Sequence, residues 1–253
     1  MTCAIFAALA LWALGYPDQA QQHVQVALTT AQALLDPVNQ AFALCFAALL
    51  YQFRRDVAAT HEWAKTAVGL STAQGFAHFL ALGTIYQGWA LARQGPAGEG
   101  LAHIRQGLTA YGATGATLER PYSLALLAEG YVNVGEIEAG LTALDEALTL
   151  VDERGARWCE AELLRLKGEL LLARPAAQHA AVEACFQQAV TVAHRQHAKS
   201  WELRAAMSLS RLWQQQGKRA EAHALLAPIY GWFTEGFDTA DLQEAKVLLE
   251  ALA

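Results

Sequence analysis

Small and apolar residues recur along this chain at an interval of about forty positions. Stepping from Ala20 gives Ala20, Thr60, Gly100 and Gly140, and after a slip of two residues the series continues at Val182 and Ala222. Four residues beyond these anchors stand Val24, Ala64, Ile104, Leu144, Phe186 and Leu226. Seven beyond stand Ala27, Ala67, Gly107, Ala147, Ala189 and Ile229. Offsets of four and seven fall on one face of a helix. A pattern that repeats at a fixed period of this size signals stacked supersecondary units.

Turn positions keep the same phase. Five residues before the anchors stand Gly15, Arg55, Gly95, Gly135, Ala177 and Gly217; fifteen after stand Leu35, Gly75, Gly115, Gly155 and His197. Glycine at such points closes helices through left-handed backbone. Each unit is therefore expected to be a helical hairpin. The repeats fall at approximately 1-35, 36-75, 76-115, 116-155, 156-197 and 198-236, in a single solenoid domain covering 1-253. Asp238-Thr239-Ala240-Asp241 offers an N-cap with early acidic residues, and the amphipathic stretch after it predicts a capping helix over 238-252.

The phase resembles that of the tetratricopeptide repeat (TPR), whose second helix carries a small, a bulky and a small residue at these offsets. The aromatic of its first helix is matched by Tyr51, Tyr131 and Trp213, and its small residue by Ala8, Ala48, Gly88 and Ala128. The chain departs from the TPR pattern in its longer period, in the missing closing proline, and in Arg174-Pro175-Ala176-Ala177 at the turn of the fifth unit. The resemblance implies an all-α fold: an α-α superhelix, a TPR-like solenoid of about six helical hairpins with a C-terminal capping helix.

The opening MTCAIFAALALWALGYPDQA is apolar but carries no basic residue before Arg54, which argues against a secretion signal. Its apolar run stops at Gly15-Tyr16-Pro17-Asp18, too early to cross a membrane. It reads as the first helix of the first repeat. Terminal repeats of solenoids need polar outer faces, and Ala7, Leu11 and Leu14 supply no charge. This edge is expected to meet another unit, either an upstream ATPase domain or a second copy of the chain in a homodimer.

At 54% hydrophobic and 17% charged residues, the 253-residue chain can bury a large core. Cys3, Cys45, Cys159 and Cys185 lie far apart with no metal-like spacing. They read as packing residues of a reducing, cytoplasmic compartment. A net charge of −6 without clustered Lys or Arg excludes a nucleic-acid surface.

Candidate chemistry is sparse. Gly95 to Gly100 (GPAGEG) has neither the preceding strand nor the Gly-Lys-Ser/Thr of a phosphate loop. His194 and His197 are three apart, but spacing places no further metal ligand with them. Glu160 and Glu162 beside Arg157, and Glu169 beside Arg165, read as helix-surface ion pairs. There is no GxSxG elbow. No catalytic residue, metal or cofactor is expected, and the chain is not read as an enzyme.

The remaining candidate is the concave groove that TPR geometry builds from the first helix of each repeat. Its positions read apolar in repeats one to three (Trp12, Phe42, Leu49, Phe53, Ile85, Trp89), with Arg93. They read polar and mostly cationic in repeats four to six (Tyr122, Glu129, Asn133, Lys167, Arg174, Arg204, Arg211, Gln214). Trp89, Arg93, Tyr122, Glu129, Asn133, Lys167, Arg204 and Arg211 are the candidate binding residues, for a protein or peptide partner.

Four stretches carry a narrower resemblance: Arg157 to Leu172, Gly83 to Leu108, Arg120 to Tyr131, and the tail from Arg211. They resemble the C-terminal repeat region of bacterial multidomain signalling proteins. These join a class III adenylate/guanylate cyclase or a DNA-binding domain to a STAND-type predicted ATPase and then to TPRs. The resemblance covers nearly the whole chain but none of the cyclase or ATPase motifs. It implies a non-catalytic interaction scaffold, the regulatory or sensor arm of a signalling ATPase or cyclase. The alternative is a sensor holding an anionic or polar small molecule in the groove.

Overall fold

The computed structural model describes residues 1–95 and 97–253, and within them every regular element is a helix. The first hairpin is α1 (Thr2–Leu14) with α2 (Pro17–Leu34), and the second is α3 (Pro37–Phe53) with α4 (Val57–Gln74). The third and fourth are α5 (Ala77–Gln94) with α6 (Ala97–Ala113) and α7 (Arg120–Val134) with α8 (Ile137–Arg154). The fifth and sixth are α9 (Glu160–Leu172) with α10 (His179–Arg195) and α11 (Lys199–Gln215) with α12 (Arg219–Tyr230); α13 (Ala240–Leu252) follows. This is the expected TPR-like superhelix of six hairpins and a final helix.

Local signals explain many of the boundaries. Asp36 and Asp56 cap α3 and α4, their carboxylates accepting from the backbone N–H of Asn39 at 3.1 Å and of Ala59 at 2.9 Å. Pro17 and Pro37 stand in first turns, where no helical N–H partner is lost. The turns at 15, 55, 135 and 217, and those at 35, 75, 115, 155 and 197, have positive φ. Leu35, Arg55 and His197 hold that conformation without being glycine. Two turn positions of the series depart from this, Gly95, with extended backbone at φ −144 and ψ −151, and Ala177.

All residues of the forty-residue series are buried, from Ala20, Val24 and Ala27 in the first hairpin to Ala222, Leu226 and Ile229 in the sixth. The small ones let paired helices approach closely. At Gly100 an added Cβ would stand 2.3 Å from the backbone nitrogen of Ala92, so α5 and α6 touch backbone to backbone there. Cys45 and Cys159 fill the interior as expected, and burial pushes the Cys45 thiol up to about 12. Cys3 is exposed, because the helix face carrying it points away from the core.

Odd-numbered helices touch one another in sequence, α1 to α3, α3 to α5, α5 to α7, α7 to α9 and α9 to α11, whereas each even-numbered helix touches only its neighbours along the chain. The odd helices are therefore the inner layer. That layer closes on itself, since α11 also packs against α1. Trp12 and Trp201 meet edge to face with ring centroids 4.6 Å apart, and the Ser200 hydroxyl donates to the Trp12 carbonyl at 2.5 Å. Beyond them Tyr16 meets Trp232 at 5.3 Å. Of the face expected to await another unit, Ala7 and Leu11 are half-buried and Leu14 is exposed; on the same helix it is Trp12 that meets the chain's own last repeat.

The seam is fastened by the segment between α12 and α13. Glu235 Oε1 accepts from the backbone N–H groups of Asp18 at 2.9 Å and Gln19 at 3.0 Å, and Gly236 N–H donates to Asp18 Oδ2 at 3.0 Å. Gly236 has φ +74, and a Cβ there would fall 2.0 Å from Pro17 Cγ. Only glycine fits both constraints.

Candidate functional site

The enclosed space between the inner helices is divided by a layer of aromatic rings. Phe53 stacks on Trp12 with centroids 4.6 Å apart and meets Trp201 at 5.5 Å and Tyr122 at 5.2 Å; Tyr122 in turn meets Trp158 at 5.2 Å. On one side of this layer lies a polar cavity of about 210 Å³. Its wall comes from the later turns of the inner helices and the start of α13.

Five arginines and five carboxylates converge there: Arg55, Arg93, Arg165, Arg204 and Arg211, with Glu129, Glu162, Glu169, Asp241 and Glu244. Each arginine is paired. Arg204 Nε donates to Asp241 Oδ2 at 2.7 Å, its NH1 stands 3.6 Å from Glu162, and its NH2 donates to the Phe53 carbonyl. Its guanidinium lies 5.2 Å from the Trp12 ring centroid and 5.0 Å from that of Trp201, so the aromatic layer also holds the cation. Arg55 reaches Asp241 at 3.0 Å and Glu244 at 2.8 Å, and Arg211 reaches Glu244 at 3.0 Å. Arg165 binds Glu162 at 2.7 Å and Glu169 at 3.4 Å. Arg93 binds Glu129 at 3.2 Å, and the Trp89 indole N–H donates to the same carboxylate at 2.7 Å.

Burial acts against ionisation of Glu162, only 2% exposed, but Arg165 and Arg204 outweigh it and hold its carboxyl below the usual range. Burial likewise opposes the charge on Arg55, and Glu244 and Asp241 more than reverse the effect. Glu162 and Arg55 are thereby held in their charged forms within the network. It offers an occupant alternating donors and acceptors rather than a field of one sign.

Of the eight candidate residues, Trp89, Arg93, Glu129, Asn133, Arg204 and Arg211 line this cavity together. Tyr122 stands one layer down, its hydroxyl donating at 2.6 Å to Gln52 Oε1, and Gln52 lines the cavity. Lys167 is a correction: it is absent from the wall and its Nζ binds Asp145 of α8 at 2.7 Å. Arg174 likewise binds Glu138, at 2.6 Å. Two further readings change. The division between apolar and polar also runs along the inner layer: α1 and α3 supply most of the apolar side, but Leu118 and Glu119 before α7, Trp158 before α9 and Trp201 at the start of α11 border it as well, and residues further along α7, α9 and α11 border the polar side. The cationic excess is also cancelled, because Glu162 and Arg165 are an interior pair rather than a surface one and Asp241 turns inward from the first turn of α13.

Asp241, Glu244, Arg55 and Arg165 were not among the candidates. The pairing of Arg165 with Glu169 is legible in the sequence; its closer pairing with the buried Glu162, read as a surface partner of Arg157, is not. His194, a weighed metal ligand, binds Glu202 at 2.8 Å, and among the described residues no three His, Cys, Asp or Glu side chains are grouped to hold a metal. No helix of the described residues is long and apolar enough to cross a membrane.

No protein-family model matches this chain, and no curated protein matches it. Solved structures do. A Rap protein complexed with competence and sporulation factor superposes with a TM-score of 0.64 at 12% identity, over 98% of this chain and 72% of that one. The apo form of RapI gives 0.56 at 10% identity, over 98% and 94%. A Signal Transduction ATPase with Numerous Domains (STAND) protein with a tetratricopeptide repeat sensor, from Pyrococcus horikoshii, gives 0.54 at 13% identity; the match spans 98% of this chain and 41% of that protein. At these identities the likeness is one of fold, the TPR-like superhelix.

Proposed function

We propose that this chain is a non-catalytic interaction module whose polar cavity receives a short segment of polypeptide. The observation that carries the reading is the convergence of five arginines on five carboxylates around one cavity. A peptide brings amide N–H and C=O groups, and side chains or termini of both signs, so it can engage such a surface without leaving either sign unpaired. An anionic small molecule, the other reading weighed, must displace five carboxylates already bound to the arginines. Arg93, Asn133 and the half-buried Glu129 form the accessible rim, while the buried Trp89, Tyr122 and Arg204 support the floor. The Rap protein complexed with competence and sporulation factor supports a bound partner on this type of superhelix.

The partner's wider setting is a signalling ATPase or cyclase that this module restrains or releases. The STAND protein with a TPR sensor supports that setting. Exposed Phe6, Leu14, Leu34, Leu35 and Val38 on the first repeats and the turn between them give an upstream domain, or a second copy of the chain, an apolar edge to contact.

The test is a random peptide library panned on the folded chain, followed by calorimetry on enriched sequences. Peptides carrying both charge signs should be retained, and Arg93→Glu should weaken them about tenfold. Enrichment of no peptide, with a thermal shift from anionic metabolites that disappears in Arg211→Glu, would move the assignment to the small-molecule sensor.

A further inference from the structure

A second cavity, of about 250 Å³, lies on the other side of the aromatic layer. Its walls are apolar and largely aromatic, including Phe46, Trp158 and Trp201, and Phe6 and Leu118 at its rim are about half exposed, leaving a way in. Among the described residues, Glu119 is the only charged one lining it.

Glu119 is 7% exposed, and its Oε2 is buried without a hydrogen-bond partner among the described residues. It occupies the N-cap position of α7, where a carboxylate ordinarily accepts from the helix's free N–H groups, yet it makes no such bond. Its backbone is held instead, the N–H donating to the Tyr111 hydroxyl at 3.1 Å. Burial raises its pKa to about 7, and no cation among the described residues counteracts this. A buried carboxyl left unpaired in an apolar wall is costly. The inner-layer arginines are engaged elsewhere: Arg120, next in the chain, pairs with Glu146 of α8 at 2.6 Å, and Arg93, Arg165, Arg204 and Arg211 serve the opposite side of the rings.

We propose that this cavity is a binding site, independent of the polar one, for a small organic amine: the ammonium pairs with Glu119 and the apolar body lies against Phe46, Trp158 and Trp201. The ammonium supplies both the missing charge and the missing donor, and aromatic faces attract cations further. An apolar cavity of roughly 150 Å³ admits a benzene ring, so this one accepts an aromatic ring with a short side chain. A ligand carboxylate would meet Glu119 with like charge. A neutral alcohol would satisfy the orphan oxygen without compensating its charge.

Calorimetry on the full chain at pH 7 with phenethylamine, phenethyl alcohol and phenylpropionate decides the matter. Phenethylamine should bind at least about tenfold more tightly than either analogue. It should also release protons, detected as a dependence of the heat on the buffer's ionisation enthalpy, because pairing ionises Glu119. Glu119→Gln should lower the amine affinity about tenfold and abolish the release, and Ala10→Phe, at the cavity wall, should block the site. Arg93→Glu, which tests the polar cavity, should leave amine binding unchanged. Equal affinity for phenethyl alcohol, undiminished amine binding in Glu119→Gln, or no binding of phenethylamine at millimolar concentration would overturn the proposal. If Glu119→Gln does not fold, the three-probe comparison and the proton release in the unaltered chain still support or overturn it.

Discussion

Glu235 caps a helix that begins with Pro17, more than two hundred residues earlier: its Oε1 accepts from the N–H of Asp18 at 2.9 Å. The N-cap residue of α2, Tyr16, makes no side-chain capping bond. The far end of the chain therefore satisfies the groups that a local Ser or Asp would ordinarily satisfy. Glu235→Ala should cost about 1 kcal/mol, read from the urea midpoint. The Asp18 and Gln19 amides should lose hydrogen-exchange protection before the middle of α2 does.

Gly236→Ala tests the same seam by steric means. The new Cβ meets Pro17 at a positive φ, and relief requires the α12–α13 segment to move away from α2. A loss of about 2 kcal/mol is expected, with an increase in radius of gyration by small-angle scattering as α1 and α11 part. An unchanged scattering profile and midpoint would mean that the closure does not depend on this contact.

Arg204 ties the seam to the polar cavity. Replacing it by Leu leaves Asp241 and Glu162 buried with less compensation, and truncating one partner of such a network costs about 3 kcal/mol or more. Arg204→Leu combined with Asp241→Leu should recover part of that loss, a coupling that a double-mutant cycle reads directly. Simple additivity of the two would contradict the pairing.

Two of the buried carboxyls, Glu162 and Glu119, give opposite pH dependence. Glu162, held low, contributes stability above its unfolded-state pKa and loses it as the solution is acidified through the folded value. Glu119 is raised from 4.5 to about 7. Below 4.5 it is protonated in both folded and unfolded chains, so its contribution is fully present; this is lost progressively as pH rises to about 7. The loss amounts to about 3 kcal/mol at ~1.4 kcal/mol per pKa unit. Denaturation midpoints compared at pH 5 and pH 8 should show Glu119→Gln gaining on the unaltered chain as pH rises. Parallel curves for the two proteins would place the Glu119 carboxyl in water.

The hairpins were legible because their causes are local. A small-bulky-small face at four and seven residues, and a turn residue at constant phase, specify two helices and the surface between them, whichever repeat is considered. Leu35, Arg55 and His197 show how strong that phase is, since each takes the left-handed turn without glycine's freedom. Six of the eight candidate cavity residues were also legible, because inner-helix positions follow from the same phase. Lys167 was misplaced where Asp145 of the neighbouring helix drew it aside.

Closure was decided only in three dimensions. The curvature of a solenoid is the sum of small rotations between successive hairpins, and no single repeat records whether the sixth will reach the first. Once it does, Arg204 finds Asp241 and Trp12 finds Trp201, partners separated by long stretches of chain with no spacing rule to connect them. The same meeting sorts the interior into a neutralised polar cavity and an apolar one with a lone carboxyl. The local alternation of residue types determined the building unit, and the accumulated geometry of six units determined which charges would be paired and which would be left waiting.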